Sequence, residues 1–149
     1  MMRTRFLLPL AIAMGLTGCQ TASDGLTTSA APPEIAGPAA SAIAGDMAGR
    51  FAEQAGSTAT PIKLHKDTSD FAVALEAALK GWGYSVISDE KFGSAKDAAK
   101  PLEIAYSLAS LDGQVLARLS TDTLELGRAY SITNGVAVPA SPLSLMKRN

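Results

Sequence analysis

Leu102, Ile104, Tyr106 and Leu108 alternate with small or polar residues, and after Asp112-Gly113 the alternation resumes with Val115, Ala117 and Leu119. Side chains along a strand point to the two faces of a sheet in turn, so a period of two over this length marks strands with one buried face. Asp-Gly between two such runs signals a two-residue hairpin, whose favoured turn needs positive φ at both central positions. This ribbon constrains the fold more than any other stretch, because two strands alone are marginal in water and need more strands or a helix against their apolar side. A further strand is expected around Leu124 to Ile132.

Helices upstream offer that cover. Phe71, Leu75, Ala78, Leu79 and Trp82 fall on one helical face, with Asp67, Thr68 and Ser69 as N-caps and Gly81 and Gly83 as stops. This helix, over residues 69 to 80, is expected to cover Leu102, Ile104 and Leu119, with Trp82 in the core and Tyr84 half-buried. An earlier helix begins at Pro38 and ends near Gly56, with Ile43, Met47 and Phe51 at four-residue spacing beside Ala40 and Ala44. Gly45 and Gly49 each weaken it by about 1 kcal/mol against alanine. Asp46, Arg50 and Glu53 break its apolarity, which argues against a membrane-helix pairing motif. Short strands are expected at Pro61–Lys66 and Tyr84–Ser88, and a loop at 89–100. The end of the chain, with Pro139, Pro142 and Lys147-Arg148, shows no period. Strands grouped after helices point to an α+β class: a small single domain with two helices and a mostly antiparallel sheet of about five strands. It is expected over residues 35–145, with 146–149 as a basic tail.

The first 19 residues carry a different message. Arg3 and Arg5 precede an apolar run from Phe6 to Leu16, and Leu16-Thr17-Gly18-Cys19 closes it with the one cysteine of the chain. A charged start, a short apolar core and small residues make a secretory signal. The run holds 11 residues, including Pro9, against roughly 20 for a bilayer span. With cysteine directly after the small residues, the segment resembles the bacterial lipoprotein signal. That resemblance implies cleavage after residue 18 and acylation of Cys19, with palmitate among the chains, so that Cys19 holds the protein to a lipid bilayer. More than one acyl chain makes such anchoring stable. Gln20, where an aspartate often marks inner-membrane retention, leans toward the outer membrane with the domain facing the periplasm. Residues 19–34, rich in small, polar and proline residues, are expected to be a flexible tether.

Composition excludes several kinds of chemistry. Removing residues 1–18 takes two of the 13 Lys and Arg residues and none of the 14 Asp and Glu, leaving 11 against 14. No basic patch of the kind that neutralises phosphates is present, so no direct nucleic-acid partner is expected. One cysteine forbids intramolecular disulfides and thiolate metal clusters. His65 is the one histidine and lies on the presumed polar, solvent side of a strand. Asp67, Asp70 and Glu76 cluster near one helix, where the first-turn acids suit the helix dipole. A periplasmic enzyme would have to rest on His65, Asp67 and Asp70, and neither a phosphate loop nor a zinc-protease helix occurs. The expectation is a binding protein rather than an enzyme, with no catalytic, cofactor-binding or metal-ligating residues.

Five segments carry a family likeness: A-S-A-I-A-G-D-M at 40–47, D-T-S-D-F-A-V-A-L-E-A-A-L-K-G-W-G-Y at 67–84, D-G-Q-V-L-A-R-L-S-T at 112–121, L-G-R-A-Y at 126–130 and P-A-S-P-L-S-L-M-K-R-N at 139–149. Together with the lipoprotein signal they make the chain resemble the TrbH family of conjugal transfer lipoproteins. The resemblance implies a structural part in a conjugative type IV secretion (mating-pair formation) apparatus, required for plasmid DNA transfer. Its partners would be other secretion-channel subunits, and it would be oligomeric in the assembled complex. The family brings no active site to carry over. A helix ending in Gly-Trp-Gly-Tyr and running into a strand also resembles the small N0-type domains of secretins. A different class of role, a surface-exclusion or peptidoglycan-contacting envelope lipoprotein, fits the same anchor and domain. For the part in the secretion apparatus, the final strand and the tail from Val136 to Asn149 are the expected contact region.

Overall fold

The structure, a computed structural model, describes residues 30–32, 34–87 and 100–148. The signal peptide at 1–18, Cys19, the tether up to residue 29 and residues 89–99 of the expected loop lie outside the described residues.

Helix α1 spans Gly37–Ala55 and holds Pro38 in its first turn, as expected. Its own N-cap, Ala36, has no side chain to offer. The Asp70 carboxylate takes that place from across the chain, accepting from the Gly37 N–H at 2.8 Å. Gly56, at φ 69°, ends the helix by donating its N–H to the Ala52 carbonyl. Strand β1 (Ile62–Leu64) leads to helix α2 (Asp70–Gly81), capped by Ser69, whose hydroxyl accepts from the Ala72 N–H. Gly83 at φ 91° and the Tyr84 N–H bonded to the Leu79 carbonyl close α2 and turn the chain into β2 (Val86–Ile87).

Five strands follow: β3 (Leu102–Leu111), β4 (Gln114–Ser120), β5 (Leu124–Thr133), β6 (Val136–Pro139) and β7 (Ser144–Lys147). All seven strands form one open sheet in the order β2-β1-β3-β4-β5-β6, with β7 also paired to β5. β1 runs parallel to β2 and β3; the rest is antiparallel. Asp112-Gly113 makes the expected turn, with φ of 49° and 76°. Asn134-Gly135 makes a second of the same kind, at 52° and 77°, joining β5 to β6. The fold is thus the expected α+β domain, with seven strands where about five were read.

Three expectations change. The stretch after Ile132 is ordered: it forms β6 and β7, and β7 straddles the boundary drawn at residue 145. The helix packed on β4, where Leu119 lies, is α1, which also covers β5 and β6, while α2 reaches the sheet at β2 and β3. Ala39, Ala40, Ile43, Ala44, Met47, Ala48 and Phe51 of α1 are all buried, a broad stripe mostly of small residues that meets both the sheet and α2. α2 lies beside α1, and its Phe71 ring meets Tyr106 edge-on at 5.0 Å. Third, Trp82 and Tyr84 exchange places: Trp82 is half-exposed over Gly49, while Tyr84 is buried with its ring 5.7 Å from Phe51. Gly83, in the left-handed region, turns the chain between them and sends successive side chains to opposite sides.

Candidate interaction surface

The polar residues singled out in the sequence turn out to be structural fastenings. His65 is half-buried rather than solvent-facing, with Nε2 3.2 Å from Glu103 on the neighbouring strand. Glu76 sits between Lys66 at 2.5 Å and Lys80 at 2.6 Å, and these hydrogen bonds hold its carboxyl below the ordinary value. Asp67 accepts from the Ala31 N–H, the Ser69 N–H and hydroxyl, and the Tyr106 hydroxyl at 2.7 Å. It thereby joins the segment before α1 to the start of α2 and to β3. No group of three or more potential metal ligands occurs among the described residues.

Asp46, read from the sequence only as a break in apolarity, is a second hub. It accepts from Arg128 Nη1 at 2.9 and 3.2 Å and from the Tyr130 hydroxyl at 2.7 Å. Arg128 Nε in turn donates to the Ser141 carbonyl, and the Ser141 hydroxyl accepts from the Ala129 N–H. Burial first, and then the bond to Asp46, push the Tyr130 hydroxyl pKa far up, so it stays a donor. This network fixes α1 to β5 and pins the connection between β6 and β7.

That connection shapes one edge of the sheet. Five residue steps separate Pro139 from Ser144, whereas their partners on β5, Tyr130 and Gly127, are three steps apart. β6 and β7 are therefore one edge strand interrupted by a two-residue bulge, which preserves the facing of side chains on both sides. Val115, Ala117 and Leu119 face α1; the register sends Leu111, Leu116, Arg118, Gly127, Val138 and Met146 to the other face. No described helix covers that face. Beside the bulge it forms a groove of about 290 Å³ over Gly127, walled by Leu116, Pro142 and Met146, with Arg118 and Glu125 at the rim. A Cβ at 127 would stand in ordinary contact with Ser144 and Arg118 and take up part of the groove floor. A second cavity, about 340 Å³, lies at the end of α1 between Phe51, Leu124 and Lys147. A lysine beside a helix C-terminus is explained by the helix dipole.

The expected contact region at Val136–Asn149 thus supplies β6, β7 and one wall of the groove; Asn149 lies outside the described residues, as does Cys19. The Asn-Gly pair at 134–135 was the sequence signal that would have revealed β6.

The family model described as conjugal transfer protein TrbH matches residues 21–149. The chain is also similar to a protein of Sinorhizobium fredii (strain NBRC 101917 / NGR234) named "Probable conjugal transfer protein TrbH", at 64% identity over 135 residues, 90% of this chain and 91% of that one. No solved structure gives a significant match. The matched region takes in α1, α2 and the whole sheet, and on that extent the chain belongs to the TrbH family of conjugal transfer proteins.

Proposed function

We propose that the protein is a structural lipoprotein of a conjugative type IV secretion apparatus. Acylated Cys19 holds it to the outer membrane, and the α+β domain faces the periplasm and contacts other secretion-channel subunits. Family membership along nearly the whole chain is the observation that carries the conjugative role. The domain adds physical support: His65, Asp67, Asp70 and Glu76 are each engaged in structural bonds, while one face of its sheet is covered by no described helix. It acts by binding. Tethering raises the local concentration of that surface near membrane-embedded partners without any new contact.

The experiment is a Cys19→Ser substitution in the full chain. The variant is expected to leave the membrane fraction and to lower mating frequency by about a hundredfold, the lower end of what tethering adds to avidity. Full mating by a soluble variant would overturn the anchoring role. Normal mating combined with lost exclusion of a second plasmid, or retention on cell-wall sacculi without channel subunits, would favour an envelope lipoprotein outside the secretion channel.

A further inference from the structure

When one face of an antiparallel sheet lies on the core, the other is ordinarily polar. Here its two ends differ in shape and in charge. At the end of the two hairpin turns stand Leu111, 70% exposed, with Val136 and Val138, each nearly half-exposed. Asp112 lies at the same turn and makes no ion pair among the described residues. At the opposite end of the face is the depression over Gly127. Glu125 there pairs with both Arg118 and Arg148, two cations on one anion, so the rim of the groove carries an excess cation, and Asp122, at the β4–β5 turn, does not line it.

A projecting, acidic end and a hollow, basic end on one face are complementary under a two-fold rotation, the operation by which residue i meets j while j meets i. We infer that this face packs on the same face of a second copy, sheet on sheet. Leu111 of each copy fills the other's groove over Gly127, and Asp112 of each meets the other's Arg118. Leu116 then lies toward the axis of a layer like that between stacked antiparallel sheets. Addition along the sheet edge is the poorer route. Pro139 has no N–H to give, and the bulge at 140–143 interrupts the line of β6 and β7, both devices that blunt an edge strand. The pairing does not depend on the anchoring role.

The test uses the full chain in bacterial cells, with a photo-crosslinking amino acid in place of Leu111 and two differently tagged copies. Irradiation is expected to join the two tags, with the cross-link mapped to Leu116–Met146. Asp112→Arg alone, or Arg118→Asp alone, should lower the yield by about tenfold or more, because like charges then meet twice in each dimer. The double variant Asp112→Arg, Arg118→Asp should restore it, which also shows that the exposed substitutions leave the fold intact. Absence of a doubly tagged product, a cross-link mapped outside the groove or to another protein, or failure of the double variant to recover would each overturn the pairing.

Discussion

Asp67 gathers hydrogen bonds from Ala31, Ser69 and Tyr106, and the balance at its carboxyl has a consequence for acid stability. Burial alone would raise its pKa; the bonds from Ser69, Tyr106 and Ala31 outweigh that and hold it below the ordinary 3.8. A folded value below the unfolded one gives stabilisation that is complete above the unfolded pKa and is lost as pH falls through the folded one. Glu76, held down by Lys66 and Lys80, acts in the same direction. Tyr106, pushed up to about 12 by burial, remains a donor to Asp67 throughout this range. Urea midpoints measured downward from about pH 5 should therefore fall less steeply for Asp67→Asn than for the parent chain. Equal slopes would remove Asp67 from the account. Asp46 makes a larger demand. Asp46→Ala strands the largely buried Arg128 guanidinium and the Tyr130 hydroxyl, at a cost of about 2–4 kcal/mol read from the same denaturation curves. Asp46→Asn, which keeps an acceptor, should lose less. The acids at 67 and 70 were legible as helix-start residues. Their bonds to Ala31 and Gly37, 36 and 33 residues away, were not, because such partners exist only once the segment before α1 has been laid against α2.

Among the elements, the ribbon at 102–119 and the helix of residues 70–81 were readable because their signals are local: alternation, caps and a turn dipeptide. Which helix lies on which strands was not. Periodicity reports that a helix has an apolar face, and α1 has alanines broad enough to serve two neighbours at once. β6 and β7 escaped for another reason. Four residues give too few alternations, and both are defined by register against β5 rather than by their own composition. The two glycines of α1 separate propensity from packing. A Cβ at Gly45 meets nothing within 4 Å, so Gly45→Ala should stabilise the domain by about 0.5–1 kcal/mol. At Gly49 it would come within 3.3 Å of the Trp82 ring, and the half-exposed indole would have to shift, so Gly49→Ala should gain less. Thermal melts of the two variants give the order directly; the reverse order would mean that the Trp82 ring does not pack on position 49.

At the scale of the molecule, one face of the sheet is covered by α1 and the other by no described helix, and the sequence carried the first more plainly than the second. A buried face writes a period into the chain. The other depends on which residues a bulge and two turns bring together. The route by which the chain enters the domain matters as well. β1 occupies only the first part of the β3 edge, and Ala30 continues that edge in a parallel bridge to Ser107, bonded to the Tyr106 carbonyl and the Leu108 N–H. Ala31 and Gly37 are then fastened by Asp67 and Asp70. Among the described residues, a pull from the N-terminal side is therefore taken first by β3, inside the sheet, before it reaches α1. Cys19 lies eleven residue steps before Ala30, so the two can be no more than about 40 Å apart whatever path lies between them. With lipid at Cys19, that is the full length of the mooring line, and the bolt it is tied to is a central strand rather than a frayed end.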